Sequence, residues 1–168
     1  MESKLLQPIK AQLELQTKLF LMVLIDISEL EANRKPGKNI NSIKWISGHI
    51  VNTRMTLLSI LSGQNNYKEF EAFFGKGTSK SVGLTYPPIT KIIERWQRVT
   101  EELMIKIENT SDEQLLSEPP FQTSISDTTF LGLIAFFALH EAQHMGQLSI
   151  IRKMNEEEIT LYDRVICN

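Results

Sequence analysis

Four long segments of this chain repeat apolar residues at the spacing of an α-helix, and this period constrains the fold more than any other feature. The third segment is the clearest, because Ile92, Trp96 and Val99 fall on one stripe. No segment alternates with the period of two that a strand requires. The sequence therefore predicts an all-α fold, with helices at about residues 8–31, 42–61, 88–109 and 128–154.

The connections between these segments indicate how the helices are arranged. The first loop is short, which favours an antiparallel pair formed by helices 1 and 2. The connection at residues 62–87 is long enough to run along the molecule, so helix 3 can lie parallel to helix 2. We therefore expect a four-helix bundle with a long crossover connection between helices 2 and 3. A length of 168 residues suits one domain that spans residues 1–168.

Two short stretches lie between the long helices. The sequence "YKEFEAFF" at residues 67–74 can form a helical turn within the long connection. The sequence "SDEQLL" at residues 111–116 predicts a short helix, in which Ser111 and Gln114 have the spacing of a capping box.

Charge, hydropathy and cysteine usage exclude several classes of protein. The net charge is −2 and no basic run is present, so we expect no nucleic-acid partner. The richest apolar run, residues 19–25, ends at Asp26 and is much too short to span a membrane. The N-terminus lacks the apolar core of a signal peptide. The single cysteine, Cys167, cannot form an internal disulfide, and these features together favour a cytoplasmic location.

The three histidines of the chain share an unusual placement. His140 and His144 belong to the sequence HEAQH, and their i, i+4 spacing puts both on the apolar face of the fourth helix. His49 lies on the apolar face of the second helix, within "WISGHIVNTR". All three imidazoles are therefore expected to face the interior, where two helices can direct them to a common point.

A single histidine on an apolar face is more often a core residue that makes one hydrogen bond. Three buried imidazoles without partners would cost several kcal/mol, however, and one shared divalent ion would remove most of that cost. The sequence therefore predicts a metal site formed by His49, His140 and His144. Two other readings stay open, namely a non-catalytic metal-binding protein and a helical interaction module with histidines in its core.

The HEAQH sequence also fits the HExxH pattern of zinc proteases, but its surroundings do not. Gln147 and Ile150 stand where the extended protease motif has its glycine and its third histidine. Glu141 lies about 100° around the helix from His140, so it is poorly placed to act on a water at the metal. We expect Glu141 to support a ligand or to contact another helix.

Several stretches of the chain resemble the DinB-like superfamily, the DinB/YfiT-type group of metal-dependent proteins. The resemblance rests on "WISGHIVNTR", "FEAFFGKGTS", "SDEQLL" and "LHEAQHMGQLSIIRK", and it covers roughly residues 5–155. It implies a four-helix bundle, often a homodimer, that binds a divalent metal through three histidines. In this chain those ligands correspond to His49, His140 and His144. Characterised relatives include transferases and isomerases that use thiols such as bacillithiol or mycothiol.

Three histidine ligands leave open positions on an ion, which is typical of a catalytic rather than a closed structural site. The first functional hypothesis is a metal-dependent thiol transferase of the bacillithiol or mycothiol type, or a related hydrolase, that acts on a small molecule. The alternative is a non-catalytic metal-binding stress-response protein. Zinc and nickel suit the ligands best, and iron also suits them. No side chain could be assigned as catalytic.

Four polar residues close to the histidines have separate predicted roles. Thr53 and Gln147 lie one turn from the ligands on the appropriate faces, so they are candidates for lining a pocket. Arg54 and Arg152 lie off those faces and are interpreted as surface ion-pair residues.

The face of the fourth helix opposite the histidines is rich in small residues. It can pack against another helix of the same chain or against a two-fold partner in a homodimer. Its members are Leu131, Ala135, Ala138, Ala142 and Ser149, and Gly146 lies nearby.

Overall fold

A computed structural model describes residues 3–64, 68–78 and 85–155, and these residues form helices and no strand. The all-α prediction is therefore confirmed. A 3₁₀ turn at Lys4–Leu6 precedes seven α-helices within the described ranges. They are α1 (Gln7–Val23), α2 (Glu29–Asn33), α3 (Ile43–Ser62), α4 (Glu71–Phe74), α5 (Ile89–Glu108), α6 (Asp112–Leu116) and α7 (Phe130–Asn155).

The first predicted helix was wrong in its extent, because the chain leaves the helix after Val23. Asp26 adopts a positive φ of 54°, a left-handed conformation that ends a helix and that Asp tolerates better than most residues. Ser28 then starts α2 with a full capping box, in which its side chain accepts from the Glu31 backbone and the Glu31 side chain binds the Ser28 backbone. Residues 24–31 thus form a turn and a new helix start.

The other long helices agree with the sequence to within two residues. Ser42 caps α3 through its hydroxyl, and Gly63 ends that helix in the left-handed conformation. Ser111 caps α6 by accepting from the Gln114 backbone. The predicted capping box is only half formed there, because the Gln114 side chain instead donates to the Leu61 carbonyl on α3, at 3.4 Å.

Helix α3 occupies a central place among the long helices. It packs against both α5 and α7, while α1 packs mainly against α7 and also touches α5. The short helix α4, which lies within the long connection, packs directly on α3. Residues 65–67 and 79–84 of the predicted crossover lie outside the described ranges. Among the helices that are described, none has the length and apolar character needed to cross a bilayer.

Candidate metal centre

Helices α3 and α7 bring the three histidines together. His49 projects from α3 and His140 and His144 project from α7, and one ring nitrogen from each lies within 4.8 Å of the other two. The ring centroid of His49 is 5.2 Å from that of His140 and 4.8 Å from that of His144. The two rings on α7 are 4.6 Å apart, as expected for an i, i+4 pair. The structure therefore places all three predicted ligands in one half-buried cluster.

The ring of His49 is held by the backbone of α4. Its Nδ1 lies 2.7 Å from the carbonyl oxygen of Phe74. A carbonyl can only accept, so Nδ1 must carry the proton and Nε2 must keep its lone pair. Phe74 is the last residue of α4, where backbone carbonyls lack partners within the helix. One hydrogen bond thus satisfies the end of α4 and fixes the tautomer of His49.

Gly48 permits this close approach of α4 to α3. A Cβ at that position would lie 2.3–2.4 Å from three ring atoms of Phe74, far inside contact distance. Trp45 stacks on His49, with the ring centroids 4.9 Å apart and the rings nearly parallel. The indole Nε1 of Trp45 donates to the Thr78 hydroxyl, at 3.2 Å. The segment that follows residue 68 therefore holds the His49 ring directly through Phe74 and holds the stacked Trp45 ring through Thr78.

The two histidines on α7 have different surroundings. Nδ1 of His144 lies 3.0 Å from the amide oxygen of Gln147, which again leaves Nε2 as the lone pair. Nδ1 of His140 is buried and has no hydrogen-bond partner within the described protein. Such an unpartnered buried nitrogen is costly, and a ligand bound to it would relieve that cost. The donor set, with three imidazoles, fits a divalent transition-metal ion.

Burial keeps all three rings neutral at physiological pH. It lowers the pKa of His140 to about 4, with repulsion from His144 and His49 contributing. Burial also lowers the pKa of His49, and the hydrogen bond to Phe74 opposes only part of that shift. The pKa of His144 is lowered by burial as well, against the opposing effect of Gln147. Neutral imidazoles have lone pairs, which is the form that binds a metal.

A pocket of about 480 Å³ opens beside His49 and His140. Thr53 lines it, as the sequence suggested, and its hydroxyl donates to the His49 carbonyl at 2.8 Å. Gln147 does not line this pocket. It holds His144 and borders a separate apolar depression near the end of α7. The two polar candidates therefore have different roles beside the cluster.

The interpretation of Arg54 as a surface residue was wrong. Its side chain is 1% exposed and forms a bidentate ion pair with Glu141, with both N···O distances at 2.7 Å. The remaining N–H groups donate to the Leu13 carbonyl and to the hydroxyls of Thr17 and Thr100. All five guanidinium N–H groups are thus used, and the group also lies 3.7 Å from the centre of the Trp96 ring.

This network decides between the two expectations for Glu141. The carboxylate is 2% exposed and both of its oxygens bind Arg54, so it contacts another helix. It faces away from the histidine cluster although it adjoins His140 in sequence. A carboxylate held in this way is unsuited to act as the general base of an HExxH protease. The structure thus supports the exclusion of a peptidase.

Arg152 was also wrongly interpreted as a surface residue. It is 8% exposed, and one of its terminal nitrogens donates to the Ile25 carbonyl at 3.0 Å. This bond joins α7 to the turn that follows α1. Helix α1 covers only part of the small-residue face of α7, where it buries Ala138. Ala142 and Gly146 stay exposed in a groove beside α1.

Sequence reasoning missed Gly48 and Phe74 as parts of the site. Both lie within stretches that were singled out, "WISGHIVNTR" and "FEAFFGKGTS". A glycine in the middle of a helix is a signal of close approach, because it costs up to about 1 kcal/mol relative to alanine and needs a packing reason. The carbonyl of Phe74 gives no signal of this kind, since every residue has one.

The described residues are helical, and three neutral histidines converge beside a pocket. The fold and the site together define a helical protein with a candidate metal site. The family model described as the DinB superfamily matches residues 12–148, so the chain belongs to that superfamily. The fold is similar to that in a crystal structure described as the conserved protein of locus from Enterococcus faecalis. The TM-score is 0.68 at 14% identity, over 90% of this chain and 97% of that chain. No curated protein matches this chain.

Proposed function

We propose that His49, His140 and His144 bind one divalent metal ion and leave positions on it open for a small molecule. The observation that carries the proposal is the convergence of three neutral rings, two of which have Nδ1 committed as a donor. Their Nε2 lone pairs have no other use in the described protein. Zinc or nickel would suit these ligands best, and iron would also suit them.

The reaction we propose is metal-dependent transfer of a low-molecular-weight thiol, of the bacillithiol or mycothiol type, or a related hydrolysis. A bound divalent ion would act as a Lewis acid that lowers the pKa of a thiol or water beside it. The described residues that line the pocket include no cysteine or serine. Glu141 is engaged by Arg54, and we propose that an added thiol or a water molecule acts as the nucleophile.

The residues around the cluster have roles that do not depend on the reaction. Phe74 and Gln147 hold the rings of His49 and His144 in orientation through their oxygens. Phe136 and Phe137 form an apolar wall of the pocket and keep water from one side of His140. These contacts favour a substrate that enters from the pocket side.

The test begins with metal content and then measures transfer. Protein purified without a His-tag is analysed for metals, and His140→Ala is compared with Gln143→Ala, which changes an exposed residue between the two ligands. We expect about one ion per chain in the wild type and in the Gln143 variant, and almost none in the His140 variant. Absence of metal after incubation with zinc, nickel or ferrous iron would overturn the metal site.

Transfer is assayed with 1-chloro-2,4-dinitrobenzene and a low-molecular-weight thiol. A C–S bond forms as the C–Cl bond breaks, chloride leaves, and the thiol proton goes to solvent. We expect the rate to fall to background with chelator. A metal-loaded protein with equal rates with and without chelator would contradict catalysis. It would favour the alternative, a non-catalytic metal-binding stress-response protein.

Architecture and assembly belong to the same proposal. We propose that the four long helices form one four-helix bundle domain with the crossover between α3 and α5, that the protein is cytoplasmic, and that it forms a homodimer through the exposed groove at Ala142. A glutamate at Ala142 tests the dimer, because it adds charge to an exposed position. We expect a folded monomer by light scattering. A folded dimer of unchanged mass would place the interface elsewhere.

A further inference from the structure

One wall of the pocket beside the histidines is formed by polar side chains of α3. His49, Asn52, Thr53 and Thr56 follow one another at i, i+3, i+4 and i+7, so they form a stripe along α3. The stripe extends about 10 Å from the cluster, given a rise of about 1.5 Å per residue. Phe136 and Phe137 face it from α7.

Asn52 is the unusual member of this stripe. The residue is only 8% exposed, yet no hydrogen bond engages its side-chain amide anywhere in the described ranges. Only its backbone carbonyl is used, as the acceptor for the Thr56 hydroxyl at 2.9 Å. The amide borders the pocket next to two candidate metal ligands, so its N–H and carbonyl groups are available to a bound molecule.

The hydroxyl groups of Thr53 and Thr56 complement the N–H donors of Asn52. The Thr53 hydroxyl donates to the His49 carbonyl and the Thr56 hydroxyl donates to the Asn52 carbonyl. Their hydrogens are therefore committed, and their oxygens can only accept from a ligand. Asn52 offers N–H donors and a carbonyl. The wall thus matches a group that has both an acceptor and a donor, such as a secondary amide.

We infer that this pocket binds the body of an amide-bearing thiol, with the amide on Asn52 and Thr53 and the apolar part against Phe136 and Phe137. The inference rests on the proposed function, since it places the sulfur at the histidine cluster. Asn52 is then a specificity-determining residue. A site built to hydrogen-bond a polar group discriminates against analogues that lack it, because its own groups are left unpaired.

The experiment titrates Co²⁺-loaded protein with N-acetylcysteamine and with 1-butanethiol, a thiol of similar reach without the amide. Near-ultraviolet absorption reports sulfur binding to cobalt. We expect wild type to bind N-acetylcysteamine about fivefold to tenfold more tightly than 1-butanethiol. We expect Asn52→Leu to lose that preference while it binds 1-butanethiol at least as well as the wild type.

Two further variants separate recognition from folding. Thr53→Val removes one acceptor with little change of shape, and we expect it to lose part of the preference. Ser47→Ala changes a buried hydroxyl on α3 that has no hydrogen-bond partner, and we expect it to keep the full preference. Thermal unfolding without ligand checks that each variant is folded.

The possible failures are distinguishable. If both thiols bind wild type equally and Asn52→Leu changes nothing, the amide site is overturned and thiol binding stands. If cobalt binds but neither thiol produces the band, the thiol proposal is overturned together with this inference. If cobalt does not bind, the metal site itself is wrong.

Discussion

Replacing Gly48 with alanine should weaken metal binding although residue 48 offers no ligand atom of its own. The new Cβ would lie 2.3–2.4 Å from the Phe74 ring, whereas carbon atoms in contact are about 3.5–4.0 Å apart. The ring and the end of α4 must therefore retreat by about 1 Å or more. The 2.7 Å bond between His49 and the Phe74 carbonyl then exceeds hydrogen-bonding distance.

The magnitude of this effect follows from the two consequences of the substitution. Loss of the hydrogen bond that orients a histidine ligand lowers metal affinity by about 10- to 100-fold. Overpacking costs about 1–3 kcal/mol of stability, partly offset by the better helix propensity of alanine, worth up to about 1 kcal/mol. We therefore expect a folded protein with a modestly lower unfolding free energy and a large loss of affinity.

The assay is calorimetric titration of metal-free protein with zinc, paired with urea unfolding in the presence of chelator. Gly146→Ala on α7 is the matched control, because a Cβ there meets nothing within 4 Å. We expect this control to be slightly more stable than wild type, with unchanged zinc affinity. A folded Gly48 variant that binds zinc as tightly as the control would refute the idea that Phe74 orients His49.

Three further predictions concern the surroundings of the site. Arg54→Met should destabilise the protein by about 3–5 kcal/mol in urea unfolding, because it leaves the Glu141 carboxylate buried and unpaired, and adding Glu141→Leu should restore most of the loss. Metal-free protein should lose stability as pH falls from about 6.5 to about 4. The unfolded chain takes up a proton at His140 near the ordinary pKa, while the folded chain, with that pKa lowered to about 4, does not. His140→Ala should reduce this dependence in thermal unfolding at a series of pH values, and the part that comes from the lowered pKa values of His49 and His144 should remain. Gln147→Ala should lower zinc affinity about tenfold, because His144 loses the acceptor that orients it, whereas Gln143→Ala should leave the titration unchanged.

The features that the sequence predicted well depend on local periodicity. The long helices and the inward direction of the histidines follow from the 3.6-residue repeat, so α3, α5 and α7 were located closely. The break after Val23 was missed because it depends on a single backbone conformation at Asp26 and on the cap at Ser28. Apolar residues continue through the turn, so the hydrophobic pattern alone does not reveal it.

The error at Arg54 has a different physical origin. Its position on the helical wheel lies away from the histidine stripe, and on a helix with one solvent face that would mean exposure. Helix α3 instead packs against both α5 and α7, and most of its circumference is buried. A cation can be buried there only because acceptors from three other helices converge on it. No spacing rule within α3 contains that information.

Neighbouring residues of HEAQH contact different parts of the molecule, because successive residues of α7 lie about 100° apart around the helix axis. His140 and His144 point toward His49 on α3, and Glu141 between them points toward the buried guanidinium of Arg54. The five residues HEAQH, taken alone, would assign this chain to the zinc peptidases. The motif therefore indicates a function only together with the residues that its side chains contact, which here are His49 and Arg54 on α3.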